Sequence, residues 1–133
     1  MSTQARVGGL QGQQTDPEIT YDHESLLERI LRNRLHLAGL PPPAREITGV
    51  VPGRRFRFDL GYLGLRPRLL IECEGGTWTK GGHSTGGGIA RDCTKSNLAQ
   101  LEGFRVLRFT ADQIEDGSAV AQIRRALEAT NGD

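Results

Sequence analysis

Two neighbouring segments carry acids where a core would ordinarily be apolar, and this limits how the chain can fold. From Arg54 to Tyr62 the residues alternate strictly. Phe56, Phe58 and Leu60 share one side of a strand, and Arg55, Arg57 and Asp59 share the other. After a connection containing Gly64 and Pro67, Arg68 to Glu74 reads as a further strand. Its Leu69, Ile71 and Cys73 face one way, and Leu70, Glu72 and Glu74 the other. A carboxylate on a core-facing position is costly unless something compensates it. Asp59 and Glu72 close adjacent strands of an expected hairpin, and Glu72 and Glu74 stand about 7 Å apart on one side.

The rest of the chain supplies the frame. Met1 to Thr20 is rich in Gln, Gly, Thr and Ser without periodicity and reads as a disordered tail, leaving residues 21–130 as one domain. Leu27, Leu31, Leu35 and Ala38 recur at helical spacing until Gly39 and Pro41-Pro42-Pro43 end the element. Glu28 lies on that apolar stripe. Glu46 to Val51 reads as a short strand closed by Pro52-Gly53. Gly75 to Gly88 is a loop with seven glycines in fourteen residues. A helix is expected from Ile89 to Glu102, with Ile89, Cys93, Leu98 and Leu101 as its core side and Lys95 away from their centre. Phe104 to Phe109 reads as a strand, and Ala119 to Ala129 as a closing amphipathic helix. The order αβββαβα predicts an α/β domain with a mixed sheet flanked by helices. A hydrophobic share of 36% and 18 glycines predict a modest core.

Net charge is +1, so composition alone does not mark a nucleic-acid binder. Distribution says more, because Arg54, Arg55, Arg57, Arg66 and Arg68 crowd one stretch against the single acid Asp59. Such a patch suits a phosphate backbone. Two cysteines, Cys73 and Cys93, with no signal peptide and no membrane-length apolar run, suggest buried thiols in a reducing cytoplasm and no membrane partner. Their spacing from His83 matches no common zinc pattern. Gly82-His83-Ser84-Thr85-Gly86 spells G-x-S-x-G, but no apolar strand leads into it and no histidine follows it. A phosphate-binding P-loop is excluded because no G-K-[ST] occurs. Converging carboxylates suit a hard divalent cation such as Mg²⁺.

The strings RFDL (Arg57 to Leu60) and LLIECEGG (Leu69 to Gly76) resemble the D…(D/E)-X-K hairpin of PD-(D/E)XK nucleases. The nearer resemblance is to the branch of the very-short-patch-repair (Vsr) endonucleases and its small phage and prophage members. GGTW (Gly75 to Trp78), His83 in its glycine loop, DCTKSN (Asp92 to Asn97) and GFRVLRFT (Gly103 to Thr110) continue it, so that it spans Glu28 to Gly117. Each motif alone is weak, and their order and spacing carry the specificity.

The resemblance implies a restriction-endonuclease-like fold and Mg²⁺- or Mn²⁺-dependent hydrolysis of DNA phosphodiesters, in repair or recombination, in a bacterial or phage-infected cell. It implies Asp59, Glu72 and the carbonyl of Cys73 as metal ligands, and Glu28 as the helix-borne acid that holds water. The pattern's lysine is replaced by Glu74, and Lys95 from the next helix, with Asp92 one turn earlier, is the candidate substitute. His83 is a candidate general acid or phosphate contact, and Trp78 a base-stacking or core residue. Arg54, Arg55, Arg57, Lys80 and Arg91 are the expected DNA contacts. Relatives read mismatches or branched junctions, and a small domain that cuts both strands often works as a homodimer. The missing lysine keeps open a non-catalytic nucleic-acid-binding module, and RNA remains an alternative substrate.

Overall fold

A computed structural model describes residues 24–75 and 86–131. Within them the order is α1 (Leu26–Leu37), β1 (Ala44–Ile47), β2 (Phe58–Tyr62), β3 (Leu69–Glu74), α2 (Gly86–Leu101), β4 (Arg105–Thr110), α3 (Ala111–Glu115) and α4 (Ser118–Asn131). The four strands form one mixed sheet in the order β1-β2-β3-β4. The first three pair antiparallel, and β4 runs parallel to β3. A parallel neighbour requires a crossover long enough to return the chain, and α2 lies in that connection. The expected α/β architecture is present. The closing helical region comprises two elements, because Asp116 and Gly117 (φ +93°) interrupt it between α3 and α4.

Helix α1 begins where Ser25 caps it, its hydroxyl accepting from the Glu28 N–H at 3.2 Å. Its stripe of Leu27, Leu31 and Leu35 buries against Leu60, Tyr62, Leu69, Ile71 and Phe109 of the sheet, together with Ile114, Ile123 and Leu127 of α3 and α4. Each fully buried aliphatic side chain here contributes about 1.5–3 kcal/mol of transfer free energy. The other face of the sheet carries a smaller cluster of Ile47, Val50, Val51, Phe58, Leu70, Ala99 and Phe104 beneath α2.

Three expectations are corrected. First, β1 begins at Ala44, and β2 covers only Phe58–Tyr62. Phe58 belongs to the cluster beneath α2, whereas Leu60 belongs to the opposite one, so the alternation through this segment breaks at Asp59. The partner strand is irregular at the matching point: Glu46, which the register sets opposite Asp59, has a left-handed φ of +54°. A non-glycine residue there costs roughly 1–3 kcal/mol and must be held by its surroundings. Second, the side that α2 turns to the sheet shares only Leu98 with the expected one. Ile89 is 52% exposed, Leu101 81%, and Cys93 is exposed, while Ala99 is buried and Lys95 and Ser96 are partly buried. Third, Cys93 is therefore not a buried thiol, although Cys73 is half-buried. The tail and most of the glycine loop, with Trp78, Lys80 and His83, lie outside the described residues.

Candidate active site

Where β2 breaks its alternation, its backbone turns to side chains for partners. The Cys73 N–H donates to Asp59 Oδ2 at 2.9 Å, and the Asp59 N–H donates to Glu72 Oε1 at 3.3 Å. These reciprocal bonds continue the β2–β3 hairpin past its last backbone pair, Leu60 with Ile71. They also fix both carboxylates at one end of the central strands. Asp59 is 9% exposed, and its Oδ1 lies 3.7 Å from a guanidinium nitrogen of Arg57. Arg57 also reaches Glu46, at 3.9 Å.

A third acid arrives from the opposite layer. Glu28, in the first turn of α1, is 3% exposed, and its Oε1 has no hydrogen-bond partner among the described residues. Burial pushes its carboxyl up to about 7, and the charge of Asp59 and a hydrogen bond shared with it add to the rise. Arg57 and the Ser25 hydroxyl pull the other way. Glu72 is also raised to about 7, first by burial and then by Asp59, against the pull of Lys95. The Cys73 thiol is pushed far above its ordinary range, by burial and then by the acids around it, and is not a nucleophile at neutral pH.

Lys95 comes from α2 and contacts Glu72 Oε2 directly. Its ammonium lies 4.5 Å from the centroid of the Phe58 ring, so it is held between an anion and an aromatic face. It is one of only two lysines in a chain with 17 basic residues. Glu28, Asp59, Glu72 and Lys95 are thus brought together from α1, β2, β3 and α2.

Glu74 goes elsewhere. It points to the α2 side like Glu72, but there it meets Arg108 of β4, whose Nε donates to its carboxylate at 2.8 Å. Arg68 pairs with neither glutamate in this site and stacks 4.3 Å over the Phe104 ring. Sequence reasoning missed Phe58 as a support for Lys95 and missed Arg108 altogether. The available signal for Arg108 was parity, since it alternates with Leu107 and Phe109 and so must face α2.

The donors fit a hard cation. Asp59 and Glu72 offer carboxylate oxygens, the Cys73 carbonyl directly follows Glu72 in the chain, and Glu28 keeps an unpaired oxygen nearby. Among the described residues no trio of His, Cys, Asp or Glu side chains is arranged to hold a metal alone. An ion held by Asp59 and Glu72 would need carbonyl and water oxygens as well, ligands that Mg²⁺ accepts.

Arg54, Arg55, Arg57 and Arg91 are exposed, and the Arg54 guanidinium lies 4.4 Å over the Phe56 ring. Among the described residues no helix is long and apolar enough to cross a membrane. Comparison of the chain with protein-family models, with curated proteins and with solved structures returns no match.

Proposed function

We propose that this chain is a metal-dependent endonuclease acting on DNA, built on the PD-(D/E)XK plan. Asp59, Glu72 and the Cys73 carbonyl would hold Mg²⁺ or Mn²⁺. The observation that carries this reading is the contact of Lys95 with Glu72, beside Asp59 and the buried Glu28. Burial and the neighbouring charge of Asp59 make Glu28 and Glu72 resist ionisation, so a bound cation would favour their charged forms. When bound, the ion supplies Lewis acidity, polarising a phosphoryl oxygen and making water a better nucleophile.

The chain's own groups do the rest. Lys95 supplies the positive charge that the usual lysine would bring and donates to an attacking water from the α2 side of the sheet, which accounts for Glu74 at the pattern's lysine position. Glu28, raised toward neutrality, accepts a hydrogen bond or a proton from water entering beside Asp59. Arg54, Arg55, Arg57 and Arg91 hold the phosphate backbone, and DNA affinity should fall steeply as salt rises.

A second reading, a binding module without catalysis, is favoured by one feature. Lys95 and Arg57 already neutralise Glu72 and Asp59, so the acids have partners without a metal. Cleavage of linear duplex, single-stranded, mismatched and four-way-junction DNA, and of RNA, with Mg²⁺ or Mn²⁺ separates the two. Cleavage by the wild type, lost in Asp59→Ala and Glu72→Ala, supports the nuclease and names its substrate. Intact nucleic-acid binding in all three proteins, with no product and no Mn²⁺ binding, supports the module.

A further inference from the structure

Helix α2 carries Lys95 into the site, yet among the described residues none of its leading half, from 87 to 94, is buried, and Ile89 and Cys93 point to solvent. Apolar anchoring starts only near Leu98 and Ala99, a turn beyond Lys95. Among the described residues, the polar side-chain contacts between this part of α2 and the sheet centre on one group. The Arg108 guanidinium donates to Glu74 Oε2 of β3 at 2.8 Å, to the Asp92 carbonyl at 3.4 Å and to the Ser96 hydroxyl at 3.2 Å. It also lies 3.5 Å from Asp92 Oδ2. One planar fork thus joins two strands to two residues of α2 spaced one turn apart, immediately around Lys95.

We propose that Arg108 is a positioning residue that sets the placement of α2 on the sheet and so keeps the Lys95 ammonium against Glu72 and Phe58. Glu74, standing where the nuclease pattern has lysine, orients that guanidinium from β3. The consequence for catalysis rests on the nuclease reading, whereas the positional claim does not. Lysine cannot replace the fork, because a single ammonium cannot span Glu74, Asp92 and Ser96 with fixed geometry.

The test is acetylation of native protein by an amine-reactive reagent, followed by peptide mass spectrometry. An added unstructured peptide with a single lysine normalises reagent dose. Arg108→Gln should raise Lys95 labelling several-fold relative to that peptide, Arg108→Lys should lie between it and wild type, and Ser96→Ala should give a smaller rise. Ile123→Val, which trims the opposite core, should leave the ratio unchanged and so separates positioning from general loosening. Wild-type ratios in Arg108→Gln and Ser96→Ala, or an equal rise in Ile123→Val, overturn the proposal. If Arg108→Gln does not fold, Glu74→Gln and Ser96→Ala make the same comparison. In a cleavage assay, kcat should fall about 10- to 100-fold in Arg108→Gln at unchanged DNA affinity, the scale expected when a catalytic group shifts by roughly 1 Å. Should no variant or wild type cleave any substrate, the nuclease reading fails while the labelling ratio still decides the clamp.

Discussion

The two faces of the sheet are built on different principles. Against α1, α3 and α4 the sheet buries a continuous apolar layer, in which Leu31, Leu35, Leu60, Leu69, Ile71, Ile114 and Ile123 are fully enclosed. Against α2 it buries a smaller cluster, and the helix turns Lys95 and Ser96 inward and leaves Ile89 and Leu101 outside. One face supplies stability. The other spends helix surface on placing charge. The candidate site lies where they meet, with Glu28 entering from the first face and Lys95 from the second. Such a division teaches that burial and chemistry need not compete when the sheet separates them.

The sharpest way to break this comparison is to neutralise the acids. Asp59→Asn or Glu72→Gln should reduce divalent-ion-dependent cleavage by more than about 100-fold, beyond the range of residues that merely support ligands. Thermal unfolding of Glu72→Gln should stay nearly level, since burial already disfavours the ionised form of Glu72. A large loss of melting temperature in that variant would make this acid structural.

The next effect tests where stability resides. Leu31→Ala should cost about 2–5 kcal/mol in urea unfolding through loss of contacts and a residual cavity. Leu101→Ala on the exposed side of α2 should stay within about 0.5 kcal/mol. Equal costs would mean that α2 buries more than its exposure indicates.

A third substitution probes the sheet itself. A Cβ on Gly61 would stand 2.5 Å from Ile47 Cδ1 and 2.8 Å from the Leu69 carbonyl oxygen. Gly61→Ala should therefore destabilise by about 1–3 kcal/mol, since the backbone contact cannot yield as a side-chain tip can. Calorimetry on the purified variant measures this directly.

The smallest expected effect is in pH. Glu28 and Glu72 have folded-state values near 7, above the usual carboxylate range. The folded state therefore holds more protons than the unfolded chain between about pH 4.5 and 7, and metal-free stability should decline as pH rises through that window. Mg²⁺ or Mn²⁺ should flatten the decline by favouring the ionised forms. Stability that stays level across the same window would show that the two acids ionise as freely as in the unfolded chain, and a rise would show that the fold favours their charged forms.

How much of this was legible beforehand varies by element. The stripe of Leu27, Leu31 and Leu35 and the run of Leu69 to Ile71 announced themselves, because long periodic burial leaves a pattern in the residues that make it. The pairing of Asp59 with Glu72 was legible as two acids ending adjacent strands. The inward face of α2 was not. Its apolar residues suggested one core side, yet the helix sets Lys95, Ser96 and Ala99 toward the sheet, where Glu72 and Arg108 meet the first two, and leaves Ile89 and Leu101 exposed.

Local pattern by itself determined the elements, the α/β class and the two acids that close the central hairpin, since these depend on spacing along the chain. Only the tertiary structure decided that Phe58 and Leu60 part company at Asp59, that Glu74 belongs to Arg108, and that Lys95 reaches Glu72. Those outcomes depend on which residues distant in sequence meet across the sheet. Parity along one strand cannot foretell a kink imposed by its partner, and a helical wheel cannot weigh a charge that the opposing strand alone provides.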